Sequence, residues 1–124
     1  MQRPALAILA ATAWISVHEF VRNQVVLAHA WEAHYHGLGL TFPASPVNGA
    51  IWGLWALLQA MAMLVIARRF SLGWTAGLGW SMGFLQMWTV IGNLGVLPFG
   101  ILGIAAPWSV VEALGAAWIV KRLG

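Results

Sequence analysis

Residues 46–67 read PVNGAIWGLWALLQAMAMLVIA, a run of 22 residues with no charged side chain. A helix rises about 1.5 Å per residue, so about 20 apolar residues suffice to cross roughly 30 Å of hydrocarbon. This run is therefore long enough to span a bilayer. Its start is marked by Ser45, a helix-capping residue, followed by Pro46 in the first turn, where a missing N–H costs nothing. Arg68 and Arg69 mark its end.

Three further segments are comparably long and apolar: Pro4–Ala28, Leu72–Ile91 and Leu97–Val120. The expected fold is an all-α integral membrane protein, a four-transmembrane-helix bundle. It forms a single domain over 1–124, with spans near 4–28, 46–67, 72–91 and 97–120 and an outer loop at 29–45. Pro107 is expected to kink the last span or divide it into two half-helices. A competing reading makes Met1–Ala13 a secretory leader, because Arg3 precedes an apolar run and Ala11-Thr12-Ala13 looks like a cleavage site. The apolar run continues through Val17, which favours a span.

Composition agrees with lipid as the solvent. Hydrophobic residues make up 61% of the 124, charged residues 7%, and the mean hydropathy is +0.82. A soluble domain carries about a quarter charged residues. Cysteine is absent, which removes disulfide frameworks, thiolate metal sites and thiol nucleophiles. The six basic residues form no stripe, so the high isoelectric point does not point to nucleic acid. Arg3, Arg68, Arg69, Lys121 and Arg122 instead fall on one side of a four-span chain. The positive-inside rule makes that side cytoplasmic, with both termini there and the protein multi-pass in the cell inner membrane. Nine tryptophans are an unusual number, and Trp14, Trp31, Trp52, Trp74, Trp108 and Trp118 fit interfacial belts.

Ionisable groups inside a span face the bundle interior by default and mark candidate sites. In the first span Ala5, Thr12, Ser16, Glu19 and Asn23 share one face, with Arg22 at its shoulder. Glu19 and Arg22 are one turn apart and can pair. Gln86, Thr89 and Asn93 make a polar face on the third span at the depth of Glu19, and Asn48 begins the second span nearby. Glu112, one turn after Ser109, lies near mid-membrane. The candidate ligand-binding set is Glu19, Arg22, Asn23, Asn48, Asn93 and Glu112, with ties between helices as the plainer use of the same residues.

The outer loop carries H-A-W-E-A-H-Y-H over 29–36. His29, His34 and His36 are weak candidates for zinc or copper, because their spacing matches neither the zinc-protease motif nor multiple histidine boxes. Interfacial histidines without metal are the expectation. No cofactor can be assigned, and a haem held between two spans would need a histidine beyond His36, where there is none. Glycine pairs at Gly49–Gly53, Gly73–Gly77 and Gly79–Gly83 are small-x-x-x-small steps that let backbones approach, within one chain or between copies or partners.

The leading expectation is a small inner-membrane carrier or binding protein with a polar site in the outer half of the bundle. One alternative is an accessory subunit of a larger membrane complex, packed through its glycine-rich faces. A second is an intramembrane enzyme using Glu19, His18 and the loop histidines, which lacks a recognisable nucleophile or metal motif and is disfavoured.

Overall fold

In a computed structural model describing residues 1–124, the chain is all-helical, with no strands. Helix α1 (Pro4–Phe20) continues as a π-helical stretch (Val21–Val26), and α2 (Ala28–Gly37) follows a break at Leu27. Then come α3 (Pro46–Ala67), α4 (Leu72–Trp80), a second π-helical stretch (Ser81–Leu85) and α5 (Gln86–Asn93). A short 3₁₀ turn (Phe99–Ile101) leads into α6 (Leu102–Leu123). Three helical runs, Pro4–Val26, Pro46–Ala67 and Phe99–Leu123, are long and apolar enough to cross a membrane. The expected third span, from Leu72, is also helical, but its Gly, Trp and Gln dilute its apolar character.

The helices start and stop where local chemistry directs. Ser45 and Ser71 accept hydrogen bonds from the backbone N–H of Asn48 and Trp74, capping α3 and α4. Lys121 Nζ donates to the carbonyls of Ala67 (2.8 Å) and Phe70 (2.7 Å), which satisfies the open end of α3. The Arg3 N–H donates to the Leu123 carbonyl at 2.7 Å. Both chain ends and the 67–70 turn therefore lie at one end of the bundle. Gly95, with a φ of 78°, makes the turn after α5.

Two expectations are corrected. The segment 29–45 is not all loop, because its first part is the helix α2. Of the two outcomes expected at Pro107, a kink or a division, division does not occur, since α6 runs unbroken through it. The proline lies in the second turn, where the lost bond frees only the Gly103 carbonyl close to an end that is already 3₁₀.

Helix α1 packs on α3 and α6, and α4 packs on α6 and α3. Ala7, Ala11, Ala56, Ala60, Ala116 and Ala117 are fully buried where these helices meet, with Ile15, Met63 and Val120 filling between them. Alanines at such positions bring backbones close, which is how helices gain contact in lipid. Toward the other end a second core gathers Leu27, Phe84, Trp88, Leu97, Ile101 and Ala105. There α3 buries no residue before Ala56, so the helices stand apart.

Candidate functional site

The alanine ladder of α1 runs Ala7, Ala11, Ile15 and then turns polar at Glu19. Beyond Phe20 the helix widens into π geometry, and within that stretch Arg22 is only 3% exposed. Arg22 Nη2 donates to Glu19 Oε1 at 2.5 Å. Its Nη1 lies 3.5 Å from Glu112 Oε1 on α6, in an ion pair without a hydrogen bond. One guanidinium thus sits between two carboxylates. Removing either kind of partner would leave charge buried without its counterpart, which is the expensive way to change such a cluster.

Hydrogen bonds extend from this cluster toward the end of the bundle opposite the chain termini. Asn23 Nδ2 donates to Glu19 Oε2 at 3.0 Å, and Trp31 Nε1 of α2 donates to Asn23 Oδ1 at 3.0 Å. Trp31 in turn stacks on Phe42, with ring centroids 5.5 Å apart. The carboxylate of Glu19 is therefore held through two relays to the segment that covers the end opposite the chain termini.

Beside the cluster lies a cavity of about 650 Å³. Glu19, Arg22, Asn23 and Gln24 form one wall, Asn48, Trp52 and Trp55 of α3 another, and Phe84 and Trp88 a third. Trp31, Tyr35 and Phe42 complete it from α2 and the following loop. Glu19 and Arg22 are its only charged residues. A smaller pocket runs inward from Glu19 past Gln59, Ser109 and Glu112.

The structure brings Glu19, Arg22, Asn23 and Glu112 together and places Asn48 on the cavity wall, at the end of α3 where it donates to the Pro43 carbonyl (3.2 Å). It does not bring Asn93 there. Asn93, Gln86 and Thr89 are exposed, and Thr89 donates back to the Leu85 carbonyl. The cause is the π stretch. Buried positions run Thr75, Ala76, Gly79 and then Phe84, Trp88, Gly92, with an interval of five across residues 79–84. One extra residue in the turn rotates everything after it by about 100°. The polar face of α5 thereby turns away from the cavity.

Several cavity residues escape sequence reasoning. Trp31 and Trp52 look like belt residues but line the cavity. Trp14 donates to the Glu112 carbonyl and Trp108 to His18 Nδ1, both at 2.9 Å, while Trp74 and Trp118 are exposed. Gln59, which donates to the Gly79 carbonyl at 2.8 Å, gave no signal beyond being polar inside a span. The unusual tryptophan count was the available hint.

His29, His34 and His36 do not converge with one another or with an acidic residue into a group of three. His34 Nε2 donates to the Gly95 carbonyl at 2.9 Å, tying α2 to the turn after α5. Compared with known proteins, the chain matches no family model, no curated protein and no solved structure.

Proposed function

We propose that the protein is a small multi-pass carrier or binding protein of the cell inner membrane, whose ligand occupies the cavity beside Glu19 and Arg22. The observation that carries this reading is the cavity itself. Ligand pockets are commonly about 300–1,000 Å³, mostly apolar, with a few convergent polar groups. This one has that size and lining, and its charged group is buried within the apolar region, where ionisable residues are costly and serve a site by default.

In this reading four spans cross the membrane. Residues 72–93 are the third crossing in chain order, helical throughout and, at about 1.5 Å per residue, about 33 Å long. The end holding Arg3, Arg68, Arg69, Lys121 and Arg122 faces the cytoplasm, and the cavity opens in the outer half. Reporter fusions after Arg69 and Lys121 are expected to read cytoplasmic and a fusion at Ala44 external. An internal signal at Ala44 overturns the orientation.

The test of function is a screen for compounds that raise the melting temperature of the detergent-solubilised protein, since only a ligand preferring the native state stabilises it. Stabilisation that is lost on altering Glu19 or Trp52 supports the reading. A screen without any hit argues against it.

A second reading rests on Gly49, Gly53, Gly73 and Gly77, where an added Cβ would meet no other part of the chain within 4 Å. These steps are open to another helix, from a second copy or from a larger membrane complex in which the chain is an accessory subunit. A mass in detergent above that of one chain, reduced by Gly53→Leu and Gly77→Leu, would favour it.

A further inference from the structure

We propose that the cavity is built for a hydrophobic organic cation, with Glu19 as its counter-charge and Arg22 passing from Glu19 to Glu112 as the cation arrives. This rests on the reading of the protein as a carrier or binding protein.

The charge count comes first. The buried cluster holds two carboxylates, Glu19 and Glu112, and one guanidinium, Arg22, and no other charged residue lines the cavity. With both carboxylates ionised the cluster is one negative charge in excess, and with Glu112 protonated it is balanced, so in neither state does it carry a positive excess. A bound cation makes the count two against two when both carboxylates are ionised. An anion would add a third negative charge to a site of low dielectric, where repulsion is poorly screened.

Unsatisfied atoms point to the movement. Arg22 Nε, Arg22 Nη1 and Glu112 Oε1 are buried without a hydrogen-bond partner, which is rare for groups of this kind. Arg22 Nη1 and Glu112 Oε1 lie 3.5 Å apart, so a closure of about 0.6 Å makes a hydrogen bond between them. A guanidinium turned to Glu112 satisfies both of those atoms and releases Glu19 Oε1 to the cavity. Asn23 still holds the other oxygen of Glu19 in place. Glu19 is also the carboxylate of the two that lines the large cavity.

The lining supplies the chemical class. Trp31, Tyr35, Phe42, Trp52, Trp55 and Trp88 surround the space, and aromatic faces attract cations, Trp most strongly. A small hydrated divalent ion is held chiefly by carboxylates, and Glu19 is the only carboxylate on this wall. A bulky cation with apolar substituents uses both the rings and the carboxylate.

Tetraphenylphosphonium and tetraphenylborate have closely similar shapes and opposite charges, so together they isolate the sign of the ligand. Binding of each to the full chain in lipid nanodiscs is measured by tryptophan fluorescence and calorimetry, with empty nanodiscs subtracted. Tetraphenylphosphonium is expected to bind at least about tenfold more tightly than tetraphenylborate. Glu19→Gln is expected to weaken it by about tenfold or more. Glu112→Gln, at a residue outside the cavity wall, is expected to weaken it as well, because Arg22 then has no second carboxylate to accept it.

Equal or tighter binding of the borate overturns the proposal, as does unchanged phosphonium affinity in Glu19→Gln. The comparison of the two ions in the unaltered protein decides the sign even if a variant does not fold. If neither ion binds but a neutral amphiphile such as a monoacylglycerol stabilises the protein, the cation assignment falls and the binding-protein reading stands. If no member of a neutral, anionic and cationic panel binds, both fall.

Discussion

The two halves of this bundle are built from the same helices and obey opposite rules. At the end where the termini meet, α1, α3 and α6 approach through alanines, and the interior is filled to the backbone. At the other end Phe84, Trp88, Leu97 and Ile101 pack ring and branch against one another while the start of α3 stands clear, leaving a cavity. Lipid offers no hydrophobic drive to bring helices together, so closeness comes from small side chains. Large side chains and a buried charge cluster hold helices apart. The boundary falls near Glu19, Arg22 and Glu112, and π geometry occurs in α1's continuation and after α4 on the cavity side of it.

The strongest way to break this division is to unbalance its charges. Arg22→Met leaves Glu19 and Glu112 buried together without a cation, and the expected loss of stability is about 3–5 kcal/mol. Glu19→Gln and Glu112→Gln added to Arg22→Met should recover most of that loss, because a neutral replacement of the whole buried cluster is close to balanced. Denaturation in detergent measures both. Equal instability in the single and triple variants would mean that the cluster acts through packing instead of charge.

Packing itself is the next test. Ala60→Leu forces a branched side chain into the fully buried alanine contact of the closed half, with an expected cost of about 1–3 kcal/mol. Gly49→Leu, where nothing lies within 4 Å, should stay within about 0.5 kcal/mol of the unaltered monomer. Equal costs at the two sites would erase the proposed contrast between the halves.

How much of this was legible in the sequence follows the same boundary. The helices α1, α3 and α6 announce themselves through uninterrupted apolar length, and Ser45-Pro46 marks a start that the structure keeps. The pairing of Glu19 with Arg22 was readable from a spacing of one turn. Its third member, Glu112, was noticed as an intramembrane carboxylate, but only the crossing of α1 and α6 brings it to Arg22. Tryptophans defeated the reading because the same residue type serves an interface, a cavity wall and a hydrogen bond to another helix. The phase of α5 defeated it for a different reason: periodicity arguments assume a constant turn, and the sequence carries no plain mark of one added residue.

That last point yields the smallest expected effect. With regular α geometry from Leu72 onward, Gln86 and Asn93 would follow Gly79 on the inner face, near the depth of Glu19, and replacing them would disturb the charge cluster. The π stretch at Ser81–Leu85 instead carries Phe84 and Trp88 inward and leaves Gln86, Thr89 and Asn93 outside. Gln86→Leu and Asn93→Leu should therefore change stability by no more than about 0.5 kcal/mol, as substitutions away from buried features do. They should also leave tetraphenylphosphonium binding, where it occurs, unchanged, whereas Trp88→Leu on the opposite face should weaken it. Both readouts come from the same purified variants in nanodiscs. A loss of binding in Asn93→Leu comparable with that in Trp88→Leu would place Asn93 at the site and restore the regular helix that the structure rejects.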